Sequence, residues 1–297
     1  MNWIIALALP FFMLTMLIEY LMLRHDQEHA GYELKDTAAS LSMGIGYLII
    51  AAASHFVLAA GYLAFYHFKV SEFASAWWVW LLAFIFYDFL FYWMHRAGHE
   101  VRMMWASHVN HHSSEHYNLS TALRQSWTEH FFAWGFWWPL ALVGLPFEVF
   151  ITISTVNLLY QYWLHTELIG DMGAFGWLFN TPAFHRVHHG VNLEYLDKNY
   201  AGMFIIWDRM FGTFEPEVAQ VRYGITTKLE TYNPVKVAFH EWVAMFHDAR
   251  QAKTWRGRLG IFLRPPGWRE DGQHETVKAL LAREESAAEC LAPVAAE

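Results

Sequence analysis

Long unbroken apolar runs, rather than alternating or one-sided patterns, dominate the first half of this chain. The first, residues 3–23, is long enough to cross a hydrocarbon core of roughly 30 Å. It has no basic start and no small-residue cleavage site, and Glu19 lies near its end, so it reads as a retained anchor rather than a signal peptide. A second run covers residues 38–66, where Gly44, Gly46, Gly61 and the alanines 51–53 suit close helix contact in lipid. The third, residues 76–94, ends directly on the first of a series of histidines. The fourth, residues 131–164, is broken by Gly144, Leu145 and Pro146 into halves short for a full span, which predicts a re-entrant helical hairpin.

From Thr181 the chain turns more polar, and residues 284–297 are rich in Ala and Glu with no aromatic residue, so the last ten or so are expected to be disordered. The pattern predicts an all-α integral-membrane protein with about four membrane-embedded helical units, the hairpin included. It divides into N-terminal membrane helices (1–75), a histidine-bearing catalytic region (76–215) and a cytoplasmic C-terminal region (216–297). If the hairpin returns to the side it left, every histidine-rich segment falls on one face as a helical cap. Most of the basic side chains lie from Arg186 onward, which favours the cytoplasm for that face.

Composition strengthens the membrane reading. Charged residues make up 16% of the chain, against about a quarter in an average soluble domain. Aromatics reach 18% with 16 Trp, a residue that favours the water–lipid boundary. The net charge of -8 excludes the basic footprint that nucleic acid requires. The single cysteine, Cys290, rules out an internal disulfide, iron–sulfur ligation and zinc–thiolate sites, so any metal is held by nitrogen and oxygen.

The candidate chemistry lies in the histidines. His95 and His99 are four apart at the end of a helical run and share a face. His108, His111 and His112 form a trio that recurs as His185, His188 and His189. On a helix the first and second members of each trio are expected to share a face, with the third swung about 100° toward a second centre. Two trios and a pair therefore supply two metals, and His165 is a ninth candidate. Eight imidazoles at a membrane boundary are costly without a partner for their nitrogens, whereas His25, His55 and His67 read as solvated or packed, as do His116 and His130. Imidazole suits iron, zinc, copper and nickel alike.

Asp88, two turns before His95, is expected to take the outer ring proton of a ligand histidine. Glu100 and Glu115 flank the first two boxes as carboxylate ligands, proton relays or solvated charges. Asn118, Arg124 and Gln125 follow the second box and are candidates to hold a headgroup or reductant. Phe84, Phe91, Trp134 and Trp138 are candidates for a lipid path, against ordinary helix packing. A membrane metal-binding or transport protein is a rival class, although transport sites lie near the bilayer midplane. A zinc hydrolase is another, but H-E-x-x-H is absent from the sequence.

H-x-x-x-H, then H-x-x-H-H, then a distant H-x-x-H-H resembles the fatty acid hydroxylase and sterol desaturase superfamily over roughly residues 87–214. Within it, the stretch from His108 to Ser126, the segment Gln161-Tyr-Trp-Leu-His165-Thr, Asp197-Lys-Asn-Tyr200 and Ile206-Trp-Asp-Arg-Met-Phe-Gly-Thr213 are similar to the alkylglycerol monooxygenase branch, whose enzymes cleave ether lipids. The resemblance implies a non-haem di-iron centre with the eight box histidines as ligands, His165 beside them and Asn199 as an outer-shell candidate, with zinc an alternative occupant in isolated protein. It implies dioxygen as co-substrate and a lipid hydroxylated, desaturated or cleaved at an ether. The electrons are to come from outside, from a reduced pterin, a ferredoxin or a haem carrier, since the chain shows no haem domain and no dinucleotide glycine fingerprint. A bacterial inner membrane is the expected location.

Overall fold

The structure, a computed structural model, describes residues 3–25, 31–72 and 76–291. Among the described residues the regular elements are all helical. Helix α1 (Trp3–Leu23) is followed by α2 (Leu34–Tyr66) and α3 (Trp77–Glu100). At 1.5 Å per residue, α2 is about 50 Å and α3 about 36 Å long; both are long and apolar enough to cross a membrane, and the apolar stretch Ala8–Leu23 of α1 is shorter. Ile45, Ile49, Phe56 and Val57 of α2 and Trp77, Leu81 and Leu82 of α3 stand exposed. Apolar surface of that extent is what lipid covers. Helix α2 starts beyond the apolar run, where Glu33 caps the Asp36 N–H at 2.7 Å.

The predicted hairpin is present as α6 (Glu129–Leu142) and α7 (Phe147–Tyr162). Its tip docks against the far end of α2: the Val70 N–H donates to the Leu142 carbonyl at 2.8 Å and the Tyr62 hydroxyl to the Leu145 carbonyl at 2.9 Å. Gly144 makes that approach, with φ +95 and the Ser71 carbonyl oxygen where a Cβ would stand. The hairpin thus descends and returns to the side it left. Tyr87 stacks on Trp137 and Tyr62 on Phe150, with ring centroids 4.6 and 4.8 Å apart, in the core that α2, α3, α6 and α7 share.

The returning end meets a cap of short helices, α4 (Arg102–Trp105), α5 (Val109–His112), α8 (Pro182–His189) and α9 (Ile206–Phe211). Helix α8 begins where Thr181 caps the Phe184 N–H and Pro182 occupies the first turn, where its missing N–H costs nothing. The C-terminal region is more ordered than its composition suggests. It forms α10 (Pro234–Gln251), α11 (Trp255–Leu263) and α12 (Val277–Leu291). Of the last ten residues, expected to be disordered, 288–291 end a helix and 292–297 lie outside the described residues. Helix α10 is joined to the cap through Arg102, which reaches Glu241 Oε1 and Asp248 Oδ2, each at 2.7 Å.

Candidate metal centre

Nine buried histidines converge where α3, α5, α7 and α8 meet, and they sort into two groups. His95, His99, His108, His112 and His188 form one; His111, His165, His185 and His189 form the other. Within each group one nitrogen per ring lies within 4.8 Å of all the rest. Opposite imidazoles on one ion, each bonded at about 2.1 Å, stand about 4.2 Å apart, so either group closes on a metal with small shifts.

The sorting corrects the expected pairing inside each trio. The first and third members share a group, and the middle one crosses: His108 with His112 against His111, and His185 with His189 against His188. Residues four apart on a helix differ by about 40°, those three apart by about 60° in the other sense. The closer pair faces one centre and the odd member the other. Box two therefore gives two rings to the five-membered group and one to the four-membered group, and box three the reverse. The groups adjoin where the His112 and His189 rings stack, centroids 4.3 Å apart.

The ring nitrogens show what such a cluster needs. His95 Nε2 lies 2.9 Å and His112 Nε2 3.1 Å from His108 Nε2, while His165 Nε2 faces His111 Nε2 at 3.2 Å and His185 Nε2 at 3.1 Å. A neutral imidazole carries one proton, and these inward nitrogens have few donors to share. His99 Nε2, His188 Nε2 and His189 Nε2 are buried with no hydrogen-bond partner. Burial, reinforced by neighbouring imidazoles, pushes His108, His112, His188 and His189 well below the usual histidine range. Neutral rings are the form that binds metal.

The outer nitrogens fix the tautomer. His95 Nδ1 meets the Tyr200 carbonyl at 2.7 Å, His188 Nδ1 the Lys198 carbonyl at 3.0 Å and His165 Nδ1 the Gln161 carbonyl at 2.9 Å; His111 Nδ1 is 3.3 Å from the Arg124 carbonyl. A carbonyl only accepts, so each Nδ1 donates and each Nε2 is left with its lone pair pointing inward. His99 Nδ1 and His108 Nδ1 instead face carboxylates, Asp197 at 3.8 Å and Glu129 at 3.7 Å. Burial pushes the Asp197 carboxyl up to about 7.

Asp88 lies elsewhere than expected. Fully buried, it accepts from the Asn157 amide (2.6 Å), the Met203 and Phe204 N–H groups (2.9 Å each) and the Trp207 indole (3.0 Å), with no histidine among them. A strand of loop comes between: Asp88 anchors residues 203–204, and the Tyr200 carbonyl, a few residues earlier, takes the His95 proton. Asp208 holds the same loop from its other side through the Tyr200 and Ala201 N–H groups, 2.8 Å each. Asn199 acts similarly. It sits in the left-handed region (φ 56), as does Asp197 (φ 57), which Asn and Asp tolerate better than other side chains. Its amide donates to the Phe184 and Glu215 carbonyls, fixing the two flanking carbonyls that receive His188 and His95.

The remaining candidates stand off the site. Glu100 pairs with Arg96 at 2.8 Å and Glu115 with Lys228 at 3.1 Å on the surface. Arg124 is almost completely buried, with Nε on the Asn110 carbonyl and Ser113 and Nη1 on Asp36 and Ser40. Gln125 donates to the Ala122 carbonyl, and Asn118 to the Gly31 carbonyl. His130 packs on Tyr47, 4.3 Å between centroids. Phe91 reaches His95 (5.4 Å), whereas Phe84 meets Phe204, Trp134 donates to the Leu58 carbonyl and Trp138 packs on Phe65. Spacing in the sequence does not mark Glu129, Asp197 or Asp208 as part of the site, although Asp197 and Asp208 lie within the segments 197–200 and 206–213.

This geometry agrees with the comparisons. Residues 80–213, which hold all nine histidines, match the fatty acid hydroxylase family model. They are a fatty acid hydroxylase domain. The chain carrying that domain is 43% identical to alkylglycerol monooxygenase of Xenopus tropicalis over 79% of its own length and 53% of the relative's. It is 40% identical to the Homo sapiens alkylglycerol monooxygenase, over 88% and 59% of the two chains. A bacterial relative, the ornithine lipid hydroxylase of Rhizobium tropici, is 30% identical over 55% and 50%. The chain thus spans little more than half the length of these curated relatives. No solved structure matches it. The apolar helices together with the hydroxylase domain mark a membrane protein.

Proposed function

We propose that this protein is a membrane-bound di-iron hydroxylase that inserts oxygen from dioxygen into a C–H bond of a lipid, with an ether lipid as the favoured substrate. The observation that carries the reading is the sorting of nine buried, neutral histidines into two adjoining groups, six of them with outer nitrogens facing carbonyls or carboxylates. Eight of them are the box ligands, and His165 completes the four-membered group. Iron held there would activate dioxygen with electrons from a reduced pterin, ferredoxin or haem carrier. The chain's own residues hold the imidazoles neutral, aim them and keep the site dry.

The lipid has a candidate route. A largely apolar cavity of about 220 Å³ lies between α1 and α7, lined by Phe11, Thr15, Ile18, Tyr162 and Trp163 together with Glu19 and Thr166, the residue after His165. An alkyl chain entering there approaches the four-membered group. Ether cleavage is favoured over simple hydroxylation by the alkylglycerol monooxygenase relatives; the bacterial ornithine lipid relative supports the broader class. The basic residues beyond Arg186 favour the cytoplasm for the histidine face. The named relatives come from frog and human as well as a bacterium, so they do not single out the bacterial inner membrane expected from the sequence.

The test is metal analysis of the purified protein joined to oxygen uptake with an alkylglycerol, a reduced pterin and mass analysis of products. Two irons per chain and an aldehyde containing one added oxygen support the proposal. A product lacking two hydrogens would make the protein a desaturase. Zinc with no oxygen uptake from any donor would end the di-iron reading.

A further inference from the structure

Helices α10 and α11 lie outside the hydroxylase domain, and each turns an apolar stripe outward. Val235, Phe239, Val243 and Phe246 follow one another at steps of four, four and three along α10, the spacing of a single helical face, and all are exposed. On α11, Trp255, Leu259 and Leu263 repeat at four, with Trp255 70% exposed. Phe246 meets Phe262 at 5.6 Å, which brings the two stripes together.

The stripe continues the surface that faces lipid. Phe239 packs edge-on against Trp127 at 6.0 Å, and Trp127 donates to the Met43 carbonyl and lies over Gly46. At that level α2 exposes Ile45, Leu48 and Ile49. Trp242 of α10 stacks on Phe132, beside the exposed Phe131 of α6. The outer face of α10 therefore sits at the depth where α2 and α6 begin to show apolar side chains outward.

Charge points the same way. In a chain of net charge -8, the exposed charges along this pair and its joints include Lys236, Arg250, Lys253, Arg256, Arg258 and Arg264, against the exposed carboxylate of Glu270, which is held by the Lys253 and Thr254 N–H groups at the start of α11. The acidic side chains of α10, the largely buried Glu241 and the half-exposed Asp248, are both paired with Arg102. Arg256 and Arg264 flank a trough of about 340 Å³ whose walls are Trp255, Leu259, Gly260 and Leu263. Guanidinium groups above an apolar floor match a phospholipid, with phosphate at the rim and acyl carbons below.

We propose that α10 and α11 lie in the membrane–water interface and bind anionic phospholipid, the apolar stripe immersed and Arg256 and Arg264 on headgroup phosphate. The occupant is the bilayer on which the domain already rests. A helix pair so seated holds α4, and with it the segment between the first two histidine boxes, at a fixed height through Arg102.

The test uses the full chain with Cys290→Ser, reconstituted in nanodiscs of phosphatidylcholine with or without phosphatidylglycerol. Nitroxides at Val243→Cys and Leu259→Cys are expected to be relaxed by oxygen more than by a water-soluble nickel complex, and one at Ser286→Cys on α12 the reverse. The Arg256→Glu/Arg264→Glu double variant is expected to lose, several-fold, the enrichment of phosphatidylglycerol around the protein. Nickel-accessible labels at both 243 and 259 would overturn the immersion. Unchanged enrichment in the double variant would overturn the headgroup site. Spin–spin broadening in discs holding two chains, absent from discs holding one, would assign the face to a second copy instead.

Discussion

Set side by side, the two histidine groups differ in what supports them. Behind the five-membered group stand the Tyr200 and Lys198 carbonyls, both set by the left-handed loop around Asn199, and the Asp197 and Glu129 carboxylates. Behind the four-membered group stand the Gln161 and Arg124 carbonyls, and His185 Nδ1 is buried without a partner. The first group is braced on nearly every ring. The second is looser and borders the apolar cavity at Thr166. The contrast suggests a division of labour in which the braced group holds its metal firmly and the other meets the substrate chain.

The sharpest way to break this contrast is to remove neighbouring rings that belong to different groups. His189→Ala is expected to empty the four-membered group, leaving about one iron per chain, and to lower turnover by more than about 100-fold, beyond the usual effect of an outer-shell partner. His188→Ala takes one of five donors and is expected to retain more iron. Equal iron content in the two variants would show that the groups are not separate sites.

Next in size is Asn199→Ala, which frees both flanking carbonyls. Iron affinity of the five-membered group is expected to fall by about 10–100-fold, with a smaller fall at the other group; equal loss from both, or none from either, would refute the bracing argument. Asp88→Ala acts one step further out. It orphans donors in the 203–207 loop at about 1–3 kcal/mol for each buried group left unpaired, so the expected signature is a lower melting temperature with iron bound normally in the cold. Ile18→Trp should crowd the cavity, raising KM for an alkyl substrate several-fold while kcat and iron content stay put. Glu115→Gln, smallest of all, removes a surface pair and should leave turnover and melting temperature at wild-type values.

Much of this arrangement was legible in the residues. The apolar runs located α1, α2, α3 and the hairpin because a bilayer imposes length and apolarity directly on sequence. The repeated trio located the metal candidates because the helical period is local. What failed to show depended on the third dimension. Which ring of a trio crosses to the other centre turns on a difference of about 20° between two helical offsets, finer than the spacing argument resolved. Asp88 stood in register with His95 along α3, but the loop at 200–207, over a hundred residues away, took its carboxylate. Arg124 looked available in a polar segment and is instead the buried partner of Asp36, a pairing that only folding reveals. At the C-terminus composition does not discriminate, because Ala and Glu suit a helix as well as a disordered tail.

One consequence of the crossed trios concerns loading. Helix α5 is a single turn that carries rings to both groups, and α8 does the same from the opposite side. An ion held by either group would fix the rotation of both elements, and so present the crossing rings to the neighbouring group already aimed. Uptake of two ions would then be cooperative, each strengthening the other's hold by the same factor. The repeat that reads as two separate boxes in the sequence works, in three dimensions, as one interlocked receptor.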